Sequence, residues 1–425
     1  MRWSTLGVLI SVAMGCGGGA TSSTPTPTTF DPDGPLAARY DQFDFSENPK
    51  LLERITARPY GYYRFVNVAF SEEVCQRFTD VLPVMPRVNL HGDAHLEQYA
   101  VTSAGRGLAD FDDSSTGPAM LDLVRFGVAL SMAHVQRGWG DPKASLDALL
   151  DGYRAALKNP GIERKEPAFV TRAVARFETD RTKFLNWAEG LMKPVPPEQG
   201  EQLAQGFARY AEKIQKRREL PATFFDLKRF GAISVGFGSA LDQKYLLRIE
   251  GETQDPADDL ILEAKEVRDL SGISCINSGP GGGALRILVS KARITERPQP
   301  FLAEIPMEAD ASLHDKALWI HAWFANYEEL DIMKSLESAT ELQTIAYDVG
   351  AQLGRGHTLH IAAPFDEQLR TNQRKVVDTY EQRIRQAIAE MTLRTLNGWR
   401  QFRVDAEADG MKLPEPLKFE RPTTP

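Results

Sequence analysis

The sequence is short of positive charge, of cysteine and of long apolar runs. Its 425 residues carry 50 Lys and Arg against 58 Asp and Glu, a formal net charge of −8. A general nucleic-acid binder needs a basic face, so this balance argues against that class while leaving room for a local basic pocket. The three cysteines are Cys16, Cys75 and Cys275. With Cys16 set aside for the N-terminal motif below, one pair remains. Cys75 and Cys275 either join in an oxidising compartment or stay as two buried thiols. Beyond a short N-terminal stretch, no segment is long and apolar enough to cross a bilayer. No internal repeat is present. The rest is ordinary for a globular protein: 42% hydrophobic and 25% charged residues, over a length that suits two or three structural units with a sizeable core.

The N-terminus pairs Arg2 with a short apolar run, Leu6 to Met14, and ends it at Gly15-Cys16. The run is too short for a spanning helix and fits a signal peptide over residues 1–15. Ala13-Met14-Gly15-Cys16 resembles a bacterial lipobox, which implies cleavage before Cys16 and acylation of its thiol. Gly17 to Thr29 are small, polar and proline-broken, a composition that suits a flexible tether, which is expected over residues 16–40. The expected location is therefore the bacterial cell envelope, with the membrane as a partner through lipid on Cys16. The bland alternative is a disordered N-terminal tail.

Ordered structure is expected from about Asp41. Val88-Asn89-Leu90 and Gly107-Leu108-Ala109 are short apolar runs that each lead into an acidic loop, which predicts a hairpin showing carboxylates at its ends. Helical periodicity starts at Ala119 and recurs over 142–158 and 166–218, the last interrupted by Pro194, Pro196 and Pro197. Residues 225–295 are rich in glycine and β-formers, with strands expected at Lys244–Ile249 and Asp259–Lys265. From 310 to 405 the pattern returns to helix, where Trp319, Trp323, Phe324 and Tyr327 follow helical spacing. The resulting division is a helical lobe at 41–221, a smaller strand-rich lobe at 222–295, C-terminal helices at 296–408 and an irregular tail at 409–425.

Two motifs carry chemistry. In Asn89-Leu90-His91-Gly92-Asp93-Ala94-His95-Leu96-Glu97-Gln98, an aspartate sits on a tight loop, where it can accept the proton of an acceptor hydroxyl in phosphoryl transfer. Asp110-Phe111-Asp112-Asp113 then offers carboxylates for a hard divalent cation, Mg²⁺ or Mn²⁺, and Gln98 stands where a polar side chain completes such a shell. Asp112 and Asp113 are either further metal ligands or solvated turn residues. Gly231 to Ser239 is a run of small residues whose N–H groups can approach phosphates, with Gly236, Gly238 and Ser239 as the candidates. Lys265, at the end of an apolar run, can neutralise phosphate charge.

These residues together resemble the bacterial domain-of-unknown-function 2252 family, a distant relative of aminoglycoside phosphotransferases and protein kinases. The resemblance rests on Tyr62-Tyr63-Arg64, His91 to Glu97, Asp110 to Asp113, Gly117-Pro118 with Asp122-Leu123, Ser234 to Gly238, Glu263 to Glu266 and Leu353 to His357. It implies an α+β, kinase-like fold in permuted order, with catalytic and metal loops first and glycine loop and lysine after. It further implies Asp93 as catalytic aspartate, Asp110 as chief metal ligand, Lys265 on nucleotide phosphates, and Asp122 as a structural aspartate. Gln98 stands where the family pattern generally has Asn. The donor would be ATP or another phosphate compound, and the substrate a small molecule.

Two other readings stay open. One is a catalytically weak nucleotide- or ligand-binding relative. The other is a metal-dependent hydrolase with His91, Asp93 and His95 as ligands. His91 otherwise braces its loop. Arg64 and Arg355 read as pocket cations or ion-pair partners, and His321, His357 and His360 as histidines on amphipathic helices. The oligomeric state is left open.

Overall fold

The computed structural model describes residues 31, 34–37, 45, 49–234, 242–278, 283–306, 317–359 and 362–419. Cys16 and the expected signal peptide, the loop residues Gly236, Gly238 and Ser239, and His360 lie outside the described residues.

The first elements among the described residues are three short helices, α1 (Pro49–Ala57), α2 (Pro59–Phe65) and α3 (Asn67–Arg77). Four short strands follow: β1 (Arg87–Leu90), β2 (Tyr99–Thr102), β3 (Gly105–Leu108) and β4 (Ser115–Pro118). Helices α4 (Met120–Arg137), α5 (Lys143–Lys158), α6 (Ala168–Val174), α7 (Arg181–Leu191) and α8 (Pro197–Arg218) come next. Strands β5 (Leu227–Ala232), β6 (Lys244–Ile249) and β7 (Leu260–Glu266) precede α9 (Leu285–Ile294). The chain continues through β8 (Ala303–Ile305), β9 (Leu318–Ala322) and β10 (Tyr327–Glu329), and ends in α10 (Ala339–Gly356) and α11 (Phe365–Ala408). Among the described residues every strand pairing is antiparallel, and the mixture of helices and small sheets is compatible with the expected α+β class.

The largest sheet has the order β5-β6-β7-β9-β8. Strand alternation divides its faces. Tyr245, Leu247, Ile249, Leu262, Ala264, Leu318 and Ile320 pack with Leu203, Phe207 and Tyr210 of α8. The opposite face carries Lys244, Glu263, Lys265, Trp319 and His321, and the register sets Lys244 across from Lys265, Lys265 across from Trp319, and Glu263 across from His321. Burial of one face against α8 thus fixes which side chains the other presents. The sheet includes β8 and β9, which lie beyond residue 295.

The helical core is built on α4, α5, α10 and α11. Helices α5 and α10 approach closely: a Cβ on Gly152 would lie 2.2 Å from the Tyr347 carbonyl oxygen, and one on Gly350 2.1 Å from that of Leu149. Only glycine permits that crossing. Ser338 starts α10, its Oγ accepting the Glu341 N–H at 3.2 Å. Among the described residues no helix is long and apolar enough to cross a membrane. Cys75 on α3 is bonded to Cys275, with Cα atoms 5.5 Å apart.

Two sequence expectations are corrected. The runs at 88–90 and 107–109 do not form a hairpin with each other. β1 pairs with β4, whereas Gly107 and Leu108 pair with β2 across a tight local turn from Thr102 to Gly105. Local closure over a short turn outcompetes the longer connection. The aromatic spacing at Trp319, Trp323, Phe324 and Tyr327 is not helical either: Leu318–Ala322 and Tyr327–Glu329 are strands, so His321 lies on β9. All five β9 residues are buried, and a strand covered on both faces shows no alternation to separate it from helix.

Candidate functional site

Strand β1 delivers the chain into the His91 loop. Gly92 adopts φ +84°, and a Cβ there would lie 1.8 Å from the Asp113 carbonyl oxygen, so the first loop is pressed against the second at a glycine. Asp122, fully buried in the first turn of α4, accepts the N–H groups of His91 at 2.7 Å and Gly92 at 2.8 Å. It also accepts from His357 Nε2 at 3.0 Å, while the other His357 nitrogen accepts the Tyr153 hydroxyl at 2.8 Å. His91 braces the loop as expected. Its Nε2 donates to the Ala109 carbonyl at 2.9 Å, which leaves Nδ1 to accept the Asp93 N–H at 3.3 Å. The His91 ring packs on Phe111, centroids 4.5 Å apart.

Asp93 is almost buried and held by Arg125 of α4, whose Nε and Nη2 donate to Oδ1 at 2.9 and 2.7 Å. The guanidinium lies 3.8 Å over the Tyr63 ring, and the Tyr63 hydroxyl donates to the Arg125 carbonyl. Burial opposes ionisation of Asp93, but Arg125 and His95 outweigh it and hold the carboxyl well below the usual carboxylate range. His95 packs against Tyr60 and Tyr63, with Nε2 3.5 Å from Asp93 and, among the described residues, no hydrogen-bond partner within bonding geometry for either ring nitrogen. Burial pushes its pKa down to about 4, partly offset by Asp93, so the imidazole is neutral near pH 7.

The second loop gathers the opposite charges. Asp110 sits in the left-handed region at φ +57°, which Asp tolerates better than most residues. Lys265 Nζ lies 2.5 Å from Asp110 Oδ1 and 2.6 Å from Asp112 Oδ2. Lys244 is 3.8 Å from Asp112, and Trp319 Nε1 donates to Asp112 at 3.2 Å. Burial disfavours the Asp110 anion, yet Lys265 and Lys244 pull its pKa well below the usual range. Asp112 is pushed up to about 6 by burial and by the charge of Asp110, against both lysines. Burial also opposes the charge on Lys265, but Asp110 and Asp112 raise its pKa well above the ordinary lysine value. Asp113 is no solvated turn residue: Arg268 Nη1 lies 3.1 Å from each of its oxygens and Asn67 Nδ2 donates to it at 2.8 Å.

Asp93, Gln98, Asp110 and Asp112 line one cavity of about 200 Å³. Asp110 also lines a neighbouring cleft of about 860 Å³, together with Lys265, Lys244, Glu263 and Trp319. Asp93, Asp110 and Asp112 thus share one cavity, and Lys265 shares the neighbouring cleft with Asp110 but does not line the Asp93 cavity. His91 and His95 do not converge with Asp93 on one point, because the His91 nitrogens are committed to backbone groups. Among the described residues no set of three or more His, Cys, Asp or Glu side chains is arranged to hold a metal ion. Arg64 pairs with Glu97 at 3.0 Å and lines both spaces, whereas Arg355 makes no ion pair among the described residues.

Sequence reasoning missed Arg125, which sits inside an apolar helical pattern. It also missed Arg268 and Arg286, whose guanidiniums hold Asp113 and the Asp112 carbonyl. Lys244 and Trp319 had a usable signal: once β6, β7 and β9 are placed, both fall beside Lys265.

The fold and site define a mixed helix-and-sheet protein with a buried acid–lysine cluster between two loops and a five-stranded sheet. A family model described as an uncharacterized protein conserved in bacteria (DUF2252) matches residues 49–172. The match contains the His91 and Asp110 loops, Asp122 and Arg125, while Lys265 lies outside it. No curated protein and no solved structure matches the chain.

Proposed function

We propose that the chain is a kinase-like, metal-assisted phosphotransferase acting on a small molecule, with the fold permuted so that the catalytic loop precedes the lysine-bearing sheet. One observation carries this reading: Lys265, from a distant strand, meets Asp110 and Asp112 beside the cavity that Asp93 lines. Phosphoryl transfer asks mainly for positioning and charge stabilisation, and this set supplies an orienting carboxylate, metal-type carboxylates and a phosphate cation. Asp93 stays ionised and fixed by Arg125, so its role is to orient an acceptor hydroxyl rather than to store a proton.

Asp110, Asp112 and Gln98 are hard oxygen donors on one cavity. Mg²⁺ is commonly held by one or two carboxylates with waters and substrate phosphates, so this donor set fits it. The ion, when bound, would neutralise charge on the phosphoryl oxygens. Lys265 now compensates both aspartates and would turn toward the phosphates. That same contact favours a second reading, a metal-independent phosphate binder with weak or no turnover, because an ammonium stands between the carboxylates.

Thermal shift with ATP, with Mg²⁺ and with both, followed by donor consumption in wild type and Asp93→Asn, tests the proposal. A stabilisation that needs both components, and turnover lost in Asp93→Asn, supports phosphotransfer. Binding without turnover in either protein supports the binder.

A further inference from the structure

Lys291 on α9 is buried, yet no carboxylate or other hydrogen-bond acceptor partners its ammonium among the described residues. What it meets instead are aromatic faces: Nζ lies 4.9 Å from the Trp319 ring centroid and 5.6 Å from that of Phe111. Cation–π contact offsets only part of the cost of removing an ammonium from water. The side chain lines the same large cleft as Lys265 and Lys244. Those two differ from it in having acid partners, Asp110 and Asp112. Lys265 also approaches the Trp319 ring, at 5.2 Å, so two ammonium groups meet one indole and only one of them is neutralised.

A buried cation that no acid contacts directly, aimed into a cleft, is explained if the ligand brings the counter-charge. We propose that Lys291 is an anion-binding residue of the cleft, holding a phosphoryl group of the ligand at a position distinct from the Lys265 contact. This rests on the phosphotransfer reading above and deepens it: the ligand carries more than one phosphoryl oxyanion, shared between the two lysines. The groups facing Lys291 are Lys265 and Glu263 on β7, Lys244 on β6, His321 on β9, and Asp110 and Asp112 on the acidic loop. Glu263 is engaged by His321 at 3.2 Å, which leaves it poorly free to serve Lys291.

The test is calorimetric titration of inorganic pyrophosphate into the full chain as wild type, Lys291→Met and Lys291→Arg. Wild type is expected to bind, Lys291→Met to bind about tenfold more weakly or worse, and Lys291→Arg to recover most of the affinity. Lys291→Met should melt no lower than wild type, since it removes an unpaired buried charge. If Lys291→Met fails to fold, Lys291→Gln is titrated in its place: weakened binding by the folded variant supports the role, and wild-type affinity overturns it. No binding by wild type, or equal affinity in wild type and Lys291→Met, overturns the inference. Donor turnover separates it from the reading beneath it. If turnover depends on Asp93 while Lys291→Met binds normally, this inference alone fails. If Lys291→Met loses binding but no turnover is found in wild type, the anion site stands and the phosphotransfer reading fails.

Discussion

Asp122→Asn tests the framework beneath the His91 loop. The carboxylate is fully buried and accepts three bonds, from the His91 and Gly92 N–H groups and from His357 Nε2, at 2.7, 2.8 and 3.0 Å. The amide keeps the shape but removes the charge and turns one acceptor oxygen into a donor that faces an N–H. Each bond to a charged group contributes about 1.5–3 kcal/mol. The three share one carboxylate and are not additive. Breaking a buried charged network typically costs about 3–5 kcal/mol, which is the expected loss. Urea denaturation measures it, and hydrogen exchange localises it, because the His91 and Gly92 amides should lose protection first. A loss under about 1 kcal/mol, or unchanged exchange at those two amides, refutes the claim that Asp122 holds the loop.

Gly92→Ala should prevent the two loops from closing, since the added Cβ would meet the Asp113 carbonyl at 1.8 Å with φ at +84°; a loss of about 3 kcal/mol or more by thermal melting is expected, and a wild-type melting curve would count against it. His95 has a folded pKa of about 4 against 6.5 when free, so the unfolded chain binds the extra proton between those values and stability falls as pH drops through that window. Between pH 6.5 and 5 this contributes a loss of about 1.6 kcal/mol that His95→Gln should remove, and identical pH profiles for the two proteins would disprove it. Joining Cys75 to Cys275 closes a separation of 200 residues, so replacing both by Ser should lower stability under oxidising conditions by about 3–5 kcal/mol; an unchanged urea midpoint would contradict this.

What could be read from the sequence followed residue type and local spacing. Asp93, Asp110 and Gln98 were legible because tight acidic loops after short apolar runs leave a signal, and Lys265 because it ends such a run. The helices α4 and α5 and the strands β6 and β7 were legible from periodicity and composition. The partners that set the charge state of the site were not. Arg125 is masked by the apolar helix around it, and Lys291 by the amphipathic pattern of α9. Pairing across the chain was equally hidden: β1 meets β4 and β7 meets β9 through contacts that no local window contains. The aromatic residues at 319–327 misled because a strand buried on both faces and a helix face can share a spacing.

In the proposed function Asp110 helps to hold a divalent cation with a phosphate ligand, in a cavity that Asp93 lines. Electron paramagnetic resonance of Mn²⁺, titrated with ATP into wild type and Asp110→Asn, tests it most directly. The expected result is a protein-bound Mn²⁺ signal that requires both wild-type protein and ATP and is lost in Asp110→Asn. An identical bound fraction in the two proteins, or no bound Mn²⁺ with wild type and ATP, would contradict it.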